Sequence, residues 1–117
     1  MQPSPDADLV YLSHMIECIN RVFEYCEGGE SSFRQSHLIQ DAVIRNLQTM
    51  AESSQRLSES TKAIAPDVPW RAISGFRNII VHYYLGVDLD LDMVWQVVLS
   101  DLPLLQAELL KINATPI

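Results

Sequence analysis

Long apolar runs, glycine, turn-forming pairs and cysteine are all scarce in this chain, and each scarcity removes a class of protein. No uninterrupted apolar run approaches the ~18 residues that a membrane span needs. The N-terminus, MQPSPDAD, has neither the basic start nor the apolar stretch of a signal peptide. The cytosol is therefore the expected location, with no membrane partner. Only 4 of the 117 residues are Gly, and β-branched runs joined by Asn-Gly pairs are missing, while hydrophobic residues make up 48%. That balance favours helices over sheet. Cys18 and Cys26 stand eight residues apart, which fits neither a zinc knuckle nor a CxxC redox pair. Buried free thiols are expected. With no Gly-rich phosphate loop and no carboxylate–histidine pattern around His14 or His37, the sequence implies no cofactor and no metal.

At 117 residues the chain is expected to form one domain over residues 1–117, with one core and one site. Positive charge is also in short supply. The net charge of −7 argues against broad, sequence-independent nucleic-acid binding, because phosphate affinity comes mainly from Lys and Arg. The acid is unevenly spread. Residues 1–30 set Arg21 against six acids, a net −5, and residues 88–117 set Lys111 against five, a net −4. Residues 31–87 carry six cations against Asp41, Glu52, Glu59 and Asp67, a net +2. A locally basic surface is possible within an acidic protein, and the acidic ends would suit a basic protein partner.

Apolar residues recur at helical steps. Asp6 or Asp8 can cap a first helix whose inward positions are Leu9, Leu12, Ile16, Ile19 and Phe23, ending at Gly28-Gly29. A second helix is expected from Ser31 or Ser32 to about residue 60, through Leu38, Ala42, Ile44, Leu47, Met50, Ala51 and Leu57. Such a length could line both its own core and a second chain. Pro66 and Pro69 mark a connection, with Asp67 or Val68 closing it and Pro69 beginning a third helix. Gly86 suits a C-cap, and Asp88 can cap a fourth helix containing Trp95, Val97, Val98 and Leu99. Pro103 then either separates a fifth helix, restarted by Asp101, or kinks a fused one. The expected fold is all-α, an up-down bundle of four to five helices.

Chemistry concentrates in Arg77-Asn78-Ile79-Ile80-Val81-His82-Tyr83-Tyr84. Cutting an RNA phosphodiester through its own 2′-hydroxyl takes a proton removed, a proton delivered to the leaving oxygen, and stabilisation of charge on phosphorus. Histidine suits the proton steps because it titrates near neutrality; arginine suits the phosphate because its fork is permanently charged. Asn78 and His82, four apart, share a helix face, so the amide can orient the ring. Arg77 and Tyr84 also share a face, but Arg77 and His82 lie about 140° apart on a regular helix. Either the last turn loosens before Gly86, or the site combines this segment from two subunits. Spacing equally allows a structural role, because Arg and His favour the last turn of a helix and Tyr83 or Tyr84 can fill a core edge.

The arrangement Arg77, four residues, His82, one residue, Tyr84 resembles the signature of HepT-like toxins, a branch of the HEPN superfamily. Asn78 fits that signature, and so do LVYLSHMIECI, Asp41 to Leu47, Val68-Pro69-Trp70, Val94-Trp95 and Leu102-Pro103. The resemblance implies a HEPN-like helical bundle that forms a homodimer with its motifs in a shared cleft, and a metal-independent endoribonuclease acting on cellular RNA, tRNA or mRNA. Arg77 and His82 would be catalytic and Asn78 orienting. It also implies a partner, an MntA-like nucleotidyltransferase antitoxin that AMPylates the motif tyrosine, Tyr84. Two departures are Tyr83 beside Tyr84, which gives a second candidate phenol, and Ala51-Glu52-Ser53, where many relatives carry a glycine before a Glu-Ala pair. Asp41, Arg45 and Asn46 could contact RNA or orient the site, or form a polar cluster between helices. The rival expectation is a HEPN dimer without catalysis that binds its nucleotidyltransferase partner.

Overall fold

Leu12, Met15, Ile19 and Val22 recur every three or four residues and are all nearly or fully buried, which fixes the inward stripe of the first helix, α1 (Pro5–Tyr25). Leu9, Ile16 and Phe23 lie on the flanks of that stripe and are half-buried. The structure, a computed structural model, describes residues 5–73, 75 and 90–114. α1 stops in a turn at residues 26–28, and the chain leaves it through Gly29, whose φ of +87° falls in the left-handed region that suits glycine. The Gly29 amide closes the turn on the Cys26 carbonyl at 2.9 Å.

The single long second helix expected from the sequence is instead two. α2 (Gly29–Gln35) ends at Ser36, and α3 (His37–Gln55) begins there. Ser36 is extended, and its hydroxyl accepts from the Ile39 amide at 3.1 Å, an N-cap in mid-pattern. The Gln40 amide donates to the Phe33 and Arg34 carbonyls at 3.0 and 3.1 Å, satisfying acceptors that the end of α2 leaves open. The break turns Phe33 into the core, where it is fully buried against Trp95 with ring centroids 5.4 Å apart. It leaves Leu38, expected on the apolar face, 80% exposed.

α3 ends at Gln55, short of residue 60, and a short α4 (Glu59–Lys62) follows under a Ser58 cap. The next helical stretch, from residue 70, starts one position later than expected: the Pro69 carbonyl accepts the first helical bond, from Ile73 at 3.1 Å, so Pro69 is the capping residue. Asp90, not Asp88, caps α5 (Leu91–Gln96), accepting from the Met93 amide. Pro103 neither ends nor sharply breaks the helix. A π-turn over Val97–Asp101 leads straight into α6 (Leu102–Ala114), with the Leu102 amide reaching back to the Val97 carbonyl. The wider turn accommodates a proline that has no N–H for the ordinary ladder.

Asp8 bonds Ser58 and His14 bonds Ser53, so the partner number falls as the α1 number rises, and α1 and α3 run antiparallel as the main packed pair. α6 packs on the other side of α1, where the Gln106 amide donates to Asn20. The core runs between these helices through Met15, Ile19, Met50, Leu102 and Leu109. Among the described residues every regular element is helical, an all-α bundle as expected. Leu91–Asn113 has the length and mean hydropathy, 1.2, of a segment able to cross a membrane, which a search for unbroken apolar runs misses. Val94, Val97, Val98, Leu102, Leu105 and Leu109 on it are buried in the bundle.

Candidate functional site

Arg77, Asn78, His82 and Tyr84, with Tyr83 beside them, lie outside the described residues. The structure does define the ground on both sides of that segment. Upstream, the Asp8 carboxylate is buried and accepts from the Ser58 amide at 3.1 Å and from the Ser58 and Thr61 hydroxyls, each at 2.5 Å. The Ser58 oxygen in turn accepts from the Thr61 amide at 3.2 Å, so one network fastens α4 to the first turns of α1. Burial of Asp8 would raise its pKa, but those three donors outweigh it and hold the carboxyl below its ordinary value.

α4 then fixes the approach to the chemical segment. The Trp70 indole N–H is shared between the Ala65 carbonyl at 3.2 Å and the Lys62 carbonyl at 3.3 Å, and the Trp70 backbone amide bonds the Val68 carbonyl at 2.8 Å. Val68 and Ile73 are buried on either side of it. Downstream, the Asp90 cap restarts the helix, Asp92 pairs with Arg34, and Trp95 meets Phe33. Residues 76–89 are therefore bracketed by two packed anchors.

Two hollows border the upstream anchor. One, about 640 Å³, is a cleft walled by Glu59, Lys62, Pro69, Trp70 and Arg71. The other, about 230 Å³, is largely apolar, between residues 67–73 and α6, with Ile73, Leu102 and Leu105 as its floor and Asp67, Asp101 and Glu108 at its edge. Sequence reasoning counted Lys62 and Arg71 only as charges and did not foresee that they share a cleft with Trp70. The nearest signal was Val68-Pro69-Trp70, a proline-fixed helix start with an indole directly after it.

The remaining candidates sort cleanly. His14 Nδ1 meets the Ser53 hydroxyl at 2.8 Å and Nε2 lies 3.8 Å from the Cys18 sulfur, a histidine with both nitrogens occupied between packed helices. His37 is exposed at the start of α3. Among the described residues no group of three His, Cys, Asp or Glu could hold a metal ion. The two cysteines are free, Cys18 buried and Cys26 half-buried, and burial raises both thiol pKa values. Asp41 and Arg45 are exposed, so they do not form a buried polar cluster with Asn46, whose amide donates to the Ala42 carbonyl of its own helix at 2.9 Å.

A family model described as ribonuclease HepT-like matches residues 15–112. Over 104 residues the chain is 36% identical to a Methanocaldococcus jannaschii protein named as a gamma-glutamylcyclotransferase and candidate RNase, covering 88% of this chain and 46% of that one. The chain thus spans about half the length of that relative. It is 32% identical over 99 residues to a second candidate RNase of the same organism, covering 84% of this chain and 89% of the relative. It is 31% identical over 104 residues to a candidate ribonuclease HepT of Thermococcus cleftensis, covering 88% and 93%. No solved structure matches.

Proposed function

From the premise that the chain belongs to the HepT-like ribonuclease family, we propose that it is a metal-independent endoribonuclease of the HEPN type and the toxin of a toxin–antitoxin pair. One observation carries this: the family match over residues 15–112 encloses the whole segment from Arg77 to Tyr84, where the residue types for phosphodiester cleavage are gathered.

In this reading the substrate's 2′-oxygen attacks the adjacent phosphorus and the bond from phosphorus to the 5′-oxygen breaks, leaving a 2′,3′-cyclic phosphate and a 5′-hydroxyl. One proton leaves the 2′-hydroxyl and one reaches the 5′-oxygen. His82 handles proton transfer, with Asn78 setting its ring, and Arg77 stabilises the charge that grows on the phosphoryl oxygens. A regular helix would splay Arg77 and His82, so a composite site in a homodimer is the arrangement we favour. An MntA-like nucleotidyltransferase would silence the site by joining AMP to the Tyr84 oxygen, with pyrophosphate leaving from ATP. The added phosphate and adenosine would put negative charge and bulk where the substrate phosphate binds. Both proteins would act in the cytosol.

The test is cleavage of total cellular RNA by the purified, unmodified chain in EDTA, beside Arg77→Ala and His82→Ala proteins shown to be folded. Cleavage by the parent chain and a loss of at least about a hundred-fold in either variant is expected. Equal cleavage by all three would place the chemistry elsewhere. No cleavage by any would favour a dimer that only binds its nucleotidyltransferase partner.

A further inference from the structure

The cleft between α4 and the helical residues 70–73 combines features that the reading above does not use. Arg71 is exposed and, among the described residues, meets no carboxylate. Lys62 contributes a second cation from the facing wall. Its side chain is only 18% exposed, and its ammonium lies 3.7 Å from the Glu59 carboxylate, a loose contact in which charge is only partly answered. Trp70 lines the same cleft. Its N–H already serves two backbone carbonyls, so what the half-buried indole offers the cleft is ring surface and no donor. An aromatic surface sharing a cleft with two cations is the combination that holds unpaired nucleic acid, with cations on the phosphates and the ring against a base.

Location supports the same occupant. Arg71 precedes Arg77 by six residues, and six residues reach at most about 20 Å even fully extended. The cleft is therefore within a few nucleotides' reach of a strand whose scissile phosphate lies at Arg77. The alternative ground is poor: the neighbouring apolar hollow is edged by Asp67, Asp101 and Glu108, which repel phosphate.

We infer that this cleft is a subsite for single-stranded RNA, in which Lys62 and Arg71 bind backbone phosphate and Trp70 supports a base beside the scissile bond. The inference rests on the ribonuclease reading, and it adds a sign that a structural role does not have. Glu59 competes with phosphate for Lys62, so removing its charge strengthens RNA binding, while removing either cation weakens it.

The experiment measures cleavage kinetics and, by fluorescence anisotropy, binding of one fluorescein-labelled mixed-sequence single-stranded RNA to the full chain and to its Arg71→Gln, Lys62→Gln and Glu59→Gln variants. Folding is verified by circular dichroism. For Arg71→Gln and Lys62→Gln, KM and Kd rise about two- to five-fold with kcat nearly unchanged, as expected for the loss of one phosphate-contacting charge. For Glu59→Gln both constants fall. Above about 0.1 M salt, the dependence of log Kd on log salt flattens by about 0.7 for each cation lost. Parent cleavage with KM, Kd and salt slope unchanged in Arg71→Gln would overturn the subsite and leave the ribonuclease reading standing. RNA binding with these variant effects but no cleavage would overturn the ribonuclease reading and support the subsite. A parent chain that neither binds nor cleaves this RNA would overturn both.

Discussion

Asp8 is the described residue with the most at stake, because a buried charge is tolerated only while its partners hold. Its carboxylate takes three hydrogen bonds from Ser58 and Thr61, and their combined pull keeps its pKa below the ordinary 3.8. A carboxyl whose folded pKa is depressed contributes stability that is complete above its unfolded pKa and is lost as pH falls through the folded one. Asp8→Ala should therefore cost about 1–3 kcal/mol at pH 7, since it also leaves the Ser58 and Thr61 donors without their acceptor. The gap from the parent protein should narrow below about pH 4, as the parent's own carboxylate is protonated. Urea unfolding of both proteins at pH 7 and pH 3 checks this, and a gap that stays constant would mean that the network holds α4 in some other way. Little of this was legible beforehand. Asp8 looked like a helix cap because acids near a helix start usually are, whereas its partners lie fifty residues away in a connection whose Ser and Thr gave no sign of facing it.

At the scale of elements, periodicity revealed α1 and most of α3 but could not reveal the division at Ser36. Phe33, Leu38 and the residues from Ala42 to Ala51 keep a continuous helical rhythm, so the pattern alone argues for one long rod. Tertiary packing overrides it: Phe33 gains full burial against Trp95 when the chain turns, and Ser36 and Gln40 supply the hydrogen bonds that make the turn cheap. Ser36→Ala removes the side-chain acceptor of the Ile39 amide and should lower stability by about 1 kcal/mol without changing the denaturant slope. Denaturant midpoints for the two proteins measure it; an unchanged midpoint would show that the break is maintained by Phe33 and Gln40 alone. Pro103 is the converse case. The sequence marked it as a separation or as a kink in a fused helix; the helix runs through it, and the π-turn that precedes it leaves no trace in the residue pattern. For the candidate site, the chemistry of Arg77, Asn78, His82 and Tyr84 was visible as residue types and spacing and lies outside the described residues. The cleft at Trp70 was invisible because its walls come from two elements that only folding brings together.

For the molecule as a whole, the difficulty is how a chain of net charge −7 holds RNA. The acid is concentrated in residues 1–30 and 88–117: α1 carries Asp6, Asp8, Glu17 and Glu24 against Arg21, and Asp88, Asp90, Asp92 and Asp101 come before α6, in which Glu108 and Lys111 balance. The intervening residues 31–87, net +2, carry both the proposed catalytic segment and the proposed subsite. Repulsion from these acids acts over longer distances than direct phosphate contacts. Salt therefore weakens the two unequally: near 0.1 M the screening length is about 10 Å, enough to mute acid beyond that range while direct phosphate contacts persist. The resulting prediction differs from that for a basic nuclease, whose kcat/KM falls steadily as salt rises. Here kcat/KM for single-stranded RNA should rise or hold level from about 10 mM to 0.1 M NaCl and decline only above that, as screening reaches the contacts themselves. A steep monotonic fall from the lowest salt would mean that RNA approaches a surface dominated by cations, and would place the binding face away from any influence of these acids.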